Sequence, residues 1–153
     1  MILYLDASAL VKRYVAEPGA AEVNEAISTA ELVGTALISR AEVAAALAKA
    51  VRMDVLTPED AWASLQVFRE EWPDVVHVQM TEMVVTRADT FAWEHDLRGY
   101  DAVHLAAASL WQDAMNEGVT LFTFDRRLWA AAGRVGLAPY PADLPTLLDT
   151  WKE

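Results

Sequence analysis

The chain has 153 residues, no cysteine, 54% hydrophobic residues and a mean hydropathy of +0.15; this suffices for one well-filled domain and excludes disulfides, thiolate metal sites and cysteine nucleophiles. Twelve Lys and Arg against 23 Asp and Glu leave a formal charge of −11, which taken alone argues against a nucleic-acid partner and fits a soluble acidic protein, a metal binder or a protein with a basic partner. The longest nonpolar stretch in mid-chain, Val43–Ala48, is too short to span a bilayer, and the first residues read as a strand, without a basic leader, so a cytoplasmic protein is expected.

Ile2–Leu5 is a short continuous apolar run of the kind found in a strand buried on both faces of a parallel sheet. It stops at Asp6, and Ala7 onward reads as a helix broken by Glu17-Pro18-Gly19. A second helix is predicted over Ala20–Ala30, a strand over Leu32–Ile38 and an alanine-rich helix over Val43–Val51. Thr57-Pro58-Glu59-Asp60 has the signature of a helix start: a capping hydroxyl, proline in the first turn and acids at the positive end of the dipole. That helix should run to Trp72. Val75–Met80 follows as a third strand and Thr81–Asp96 as a helix, with Gly99 expected as a stop. A helix over Ala102–Glu117, a β-branched and aromatic strand over Val119–Phe124 and a short helix over Arg126–Ala132 complete the pattern, with Gly133 ending the last of these. Leu137–Tyr140, with prolines in and after it, reads as an edge strand, and Asp143–Trp151 as a terminal helix. Strands alternating with helices, without repeat or linker, predict a parallel α/β sandwich and a single domain over 1–153.

Four acids fall at element junctions: Asp6, Glu42, Asp101 and Asp125. Each has a plain structural reading. Asp6, Asp101 and Asp125 suit helix N-caps, and Ser39-x-x-Glu42 has the spacing of a capping box. Yet strand ends and the helix starts that follow them share one rim of a parallel sheet, where open α/β sheets place their ligands. Four carboxylates gathered there would repel and raise one another's pKa unless a counter-charge joined them. Hard divalent cations, Mg²⁺ or Mn²⁺, supply that charge to oxygen ligands, and an acidic cluster holding them is equipment for phosphodiester hydrolysis.

Leu5-Asp6-Ala7-Ser8-Ala9-Leu10-Val11-Lys12, Ser39-x-x-Glu42-Val43, Leu97-Arg98-x-Tyr100-Asp101-Ala102-Val103-His104-Leu105-Ala106 and Phe122-Thr123-Phe124-Asp125-Arg126-Arg127-Leu128 are ordered and spaced so that the chain resembles a PIN-domain nuclease of the VapC type, from toxin–antitoxin pairs. The resemblance implies a three-layer α/β/α sandwich around a parallel sheet of four to five strands. It also implies a Mg²⁺- or Mn²⁺-dependent endoribonuclease leaving 5′-phosphate and 3′-hydroxyl ends, a homodimer, and a cognate antitoxin that silences it. By the same resemblance Asp6, Glu42, Asp101 and Asp125 are the acidic site, Asp6 and Asp101 its metal ligands, and Ser8 and Thr123 hydroxyls that orient carboxylates or waters.

Among the cations near these motifs, Arg40 lies in the turn carrying Glu42 and is a candidate for binding RNA phosphate; Lys12, Arg13, Arg98, Arg126 and Arg127 are others. His104 lies three residues after Asp101, and among Ala102, Val103, Leu105 and Ala106 it reads as a packed, hydrogen-bonded histidine. Trp62, Phe68 and Trp72 recur along one helix and suggest core, or a groove for a partner helix along 44–72. A receiver-type phospho-acceptor switch is a poor match: the third strand ends in Met80-Thr81-Glu82 rather than an acceptor Asp, and arginines rather than a lysine follow Asp125. A haloacid-dehalogenase-like phosphatase would need Asp-x-Asp where the chain has Asp6-Ala7-Ser8. A catalytically idle binding module on the same fold remains the alternative.

Overall fold

A computed structural model describes residues 1–152. Five strands, β1 (Ile2–Leu5), β2 (Leu32–Ala36), β3 (Val76–Val78), β4 (Val119–Phe122) and β5 (Ala138–Tyr140), form one sheet in the order β3-β2-β1-β4-β5. Every pairing is parallel. The chain adds strands to one side of β1 and then returns to add β4 and β5 on the other. The order therefore reverses between β1 and β4, and the carboxyl ends of these two strands flank the crevice that such a reversal opens.

The helices are α1 (Ala7–Leu10), α2 (Ala20–Thr29), α3 (Ser39–Arg52), α4 (Pro58–Glu71), α5 (Glu82–His95), α6 (Gly99–Met115), α7 (Arg126–Arg134) and α8 (Leu144–Thr150). The two-residue alternation of β1 divides them into layers. Ile2 and Tyr4 face a core made with α5, α6 and α7, whereas Leu3 and Leu5 face one made with α1 to α4. All four strand residues are buried, as the continuous apolar run requires. The three-layer α/β/α sandwich with an all-parallel five-stranded sheet is thus as expected from the sequence. Among the described residues no helix is long and apolar enough to cross a membrane.

Several boundaries move. The first helix is one turn, Ala7–Leu10, continued by a 3₁₀ turn over Val11–Arg13. A 3₁₀ turn at Trp72–Asp74 shortens the third strand to Val76–Val78. Gly99 does not stop a helix but opens α6; α5 ends instead at Asp96, whose left-handed φ of 52° turns the chain. Gly133 lies inside α7, and the turn after it falls at Gly136, φ +87°.

The helix that positions the site is α6. Ala102, Ala106, Ala107 and Ala108 are fully buried, and their short side chains let the helix lie close on the sheet. Its Trp111 takes the space that a side chain at position 34 would fill: a Cβ built on Gly34 would stand 2.6 Å from the indole. Gly34→Ala should therefore cost about 1–3 kcal/mol through overpacking, read as a lower urea midpoint, and the smaller ring pocket of a Gly34→Ala/Trp111→Leu double variant should couple non-additively with it.

Candidate active site

Asp6 follows β1 directly and is only 3% exposed. Its carboxylate accepts three hydrogen bonds that fix both oxygens: Oδ1 takes the Ser8 hydroxyl (2.8 Å) and the Ala9 amide (2.9 Å), and Oδ2 takes the Thr123 hydroxyl (2.7 Å). The Ala9 contact caps α1, so the plain reading of Asp6 as an N-cap is correct and incomplete. Thr123 comes from the end of the neighbouring strand β4, and its oxygen also accepts the amide of Asp125 (3.0 Å). Ser8 and Thr123 thus tie the ends of β1 and β4 to a single carboxylate. Burial pushes Asp6 above the usual carboxylate pKa, against the pull of charge at His104 and of these donors.

Asp125 caps α7, its Oδ1 accepting the amide of Leu128 (2.9 Å). Asp101 is not a cap: α6 starts at Gly99 with Arg98 before it, and Asp101, 6% exposed, sits in the first turn. Burial, followed by the charge of Asp125, raises the pKa of Asp101, while Arg98 lowers it in part. Arg98 lies between them. Its Nε donates to Asp101 Oδ2 (2.9 Å) and its Nη2 to Asp125 Oδ2 (3.0 Å), with the guanidinium 4.8 Å from the Tyr100 ring.

Glu42 does not close a capping box. Ser39 is buried and bonds to Thr35 (2.7 Å), which donates to the Leu5 carbonyl (2.6 Å). Glu42 is thereby free to face the sheet edge, where Nε2 of His104 donates to its Oε1 (2.7 Å). His104 is 2% exposed and held on its other nitrogen by Tyr4 Oη (2.8 Å). Burial alone would lower the imidazole pKa, but the Glu42 hydrogen bond and the charges of Asp6, Glu42 and Asp101 carry it above the ordinary value. His104 is the packed, hydrogen-bonded histidine expected, and it is also the group that holds Glu42. The spacing of Asp101 and His104 on one helical face signals this link; Tyr4, a hundred residues away in sequence, carries no such signal.

Asp6, Glu42, Asp101 and Asp125 line one cleft of about 230 Å³, together with Ser8, Arg98, Tyr100, His104 and Phe124. Arg40 does not line it. Two residues before Glu42 on α3, it points about 200° around the helix, into a hollow between α3 and α4 with its guanidinium 5.9 Å from the Trp72 ring. Among the described residues no three His, Cys, Asp or Glu side chains stand close enough to form a ready-made metal set; Arg98 and His104 supply the counter-charge. The donors themselves, all carboxylate oxygens with hydroxyls behind them, are the chemistry that Mg²⁺ or Mn²⁺ prefers. Burial is the chief cause of the raised pKa of both Asp6 and Asp101.

Residues 3–134 match the PIN domain family. "Ribonuclease VapC45" of Mycobacterium tuberculosis (strain CDC 1551 / Oshkosh) and "Ribonuclease VapC49" of strain ATCC 25618 / H37Rv are each 33% identical to the chain over 143 residues, which cover 94% of it and 97% of them. Two solved structures share the fold. A toxin–antitoxin complex from Klebsiella pneumoniae aligns with a TM-score of 0.65 at 20% identity, over 92% of this chain and 98% of that one. PAE2754 from Pyrobaculum aerophilum aligns with a TM-score of 0.63 at 19% identity, over 100% and 91%. A match through nearly the whole sheet, with relatives one-third identical from end to end, makes this chain a member of the PIN-domain family, of the VapC type.

Proposed function

We propose that the protein is a metal-dependent endoribonuclease and the toxin of a toxin–antitoxin pair. The observation that carries this reading is the convergence of Asp6, Glu42, Asp101 and Asp125, from four separate elements, on one cleft at the carboxyl edge of the sheet. The ribonuclease names of its relatives support the substrate class. Asp6 and Asp101 would hold Mg²⁺ or Mn²⁺. When bound, the ion supplies a water of lowered pKa and positive charge for the scissile phosphate.

The chain's own residues do the rest. Ser8, Ala9 and Thr123 fix Asp6 in one orientation, so little ordering is left for the moment of binding. His104 holds Glu42 toward the cleft, and Arg98, at its mouth, presents a guanidinium to an incoming phosphate. For the partner, the toxin–antitoxin complex among the fold relatives supports an antitoxin. The hollows along α3 and α4, with Arg40, Leu65 and the 59%-exposed Trp62, would receive an amphipathic segment from it. A homodimer in the cytoplasm completes the proposal.

Incubating mixed cellular RNA with purified protein and Mn²⁺ or Mg²⁺ should yield discrete fragments, abolished by EDTA and by Asp6→Asn; equal cleavage by Asp6→Asn would overturn the reading in favour of an idle binding module. Thr123→Val keeps the shape but drops the Asp6 contact, and should lower the cleavage rate roughly 10–100-fold. Asp101→Asn should also abolish cleavage while leaving the metal-free protein as stable as the parent or more so. The sign follows from its raised pKa. Ionised Asp101 costs folding stability at neutral pH, and that cost fades as pH falls through its folded pKa toward the unfolded value of about 3.9. The melting temperatures of parent and variant, compared in EDTA, should accordingly converge on acidification.

A further inference from the structure

A second hollow opens beside the acidic cleft and shares Arg98, Phe124 and Asp125 with it. It measures about 500 Å³ and extends to Arg126, Arg127 and Leu148. Three of the chain's twelve Lys and Arg residues therefore line one hollow, in a molecule whose net charge would otherwise repel a polyanion.

The other cations within reach of the motifs are engaged. Arg13 makes a two-pronged ion pair with Glu71 (2.8 Å at the shorter contact), Lys12 is largely buried against Glu17 (3.1 Å), and Arg40 lies over Trp72 in the α3–α4 hollow. Arg126 and Arg127 are different. They are 51% and 72% exposed at the side chain, and their nearest carboxylates, the exposed Asp149 and Asp96, stand at 3.4 and 3.8 Å. Such loose, solvent-screened pairs are readily exchanged for a phosphate. Tyr100, 48% exposed, lines the adjoining acidic cleft, and its ring, with the Arg98 guanidinium 4.8 Å away, offers a surface on which a base can stack.

We infer that this hollow is the path of the RNA strand leaving the acidic cleft: Arg98 meets the phosphate at the mouth, Arg126 and Arg127 hold the backbone flanking the cleavage point, and Tyr100 stacks an unpaired base. This rests on the ribonuclease reading and, among the cations that the sequence offers, selects Arg126 and Arg127 on α7 over Arg40.

The test uses Asp6→Asn protein, chosen so that cleavage does not interfere, and a short fluorescein-labelled single-stranded oligoribonucleotide followed by anisotropy across a salt series. Arg126→Gln/Arg127→Gln in that background should weaken binding. It should also flatten the plot of log affinity against log salt by about 1.4, from about 0.7 per phosphate contact on a single strand. Arg40→Gln should leave both unchanged. With Asp6 restored, the Arg126→Gln/Arg127→Gln protein should show a raised KM, little change in kcat and an unaltered melting temperature. An unchanged salt slope in the double variant, or an equal loss in Arg40→Gln, would overturn the path while leaving cleavage by the parent intact. Absence of RNA cleavage by the parent would overturn the ribonuclease reading and the path with it.

Discussion

The constraint on which this molecule turns is the crowding of negative charge at the carboxyl edge of its sheet. Asp6 is buried behind β1, Asp101 is buried at the start of α6, and Glu42 and Asp125 close the same cleft. A buried carboxylate is costly unless donors or cations meet it. Every one of the four is met by a specific group: Ser8, Ala9 and Thr123 on Asp6, His104 on Glu42, and Arg98 on Asp101 and Asp125 together. The distribution is uneven. Asp6 is held by neutral donors, which orient it without cancelling its charge, whereas Asp101 and Asp125 are bridged by a guanidinium that is itself exposed.

Packing around the cleft follows from this. Thr123 can reach Asp6 only because β4 lies directly beside β1, with Leu5 opposite Phe122 in register. His104 can reach both Tyr4 and Glu42 because alanines bring α6 down on the sheet. The same close approach forces a glycine at position 34 under Trp111. Small residues on one face of the sheet and hydroxyls at strand ends are therefore parts of one arrangement: the first sets the depth of the helix, and the second sets the angle of the carboxylate.

Charge on the whole chain and charge in the hollow beside the acidic cleft point in opposite directions. A net −11 opposes approach by nucleic acid at long range, but screening in physiological salt confines that effect to about 8 Å. The hollow beside the cleft is lined by Arg98, Arg126 and Arg127.

The amino-acid sequence by itself determined the order and kind of the elements and the positions of the acids. Both depend on local signals: a continuous apolar run for β1, the Thr57-Pro58 helix start, carboxylates immediately after strands. Local signals misled where two readings share one spacing. Ser39-x-x-Glu42 has capping-box spacing, yet Thr35 engages Ser39 from the preceding strand, and Glu42 turns to His104. Gly99 can stop a helix or begin one, and Asp96 took the left-handed turn instead. Only the tertiary structure decided that Arg98 rather than Arg40 stands at the cleft, that His104 joins Tyr4 to Glu42, and that β1 and β4 share a hydroxyl clamp. Each of these depends on the rotation of a helix about its axis or on which strands are neighbours, and those follow from the packing of residues that lie far apart along the chain.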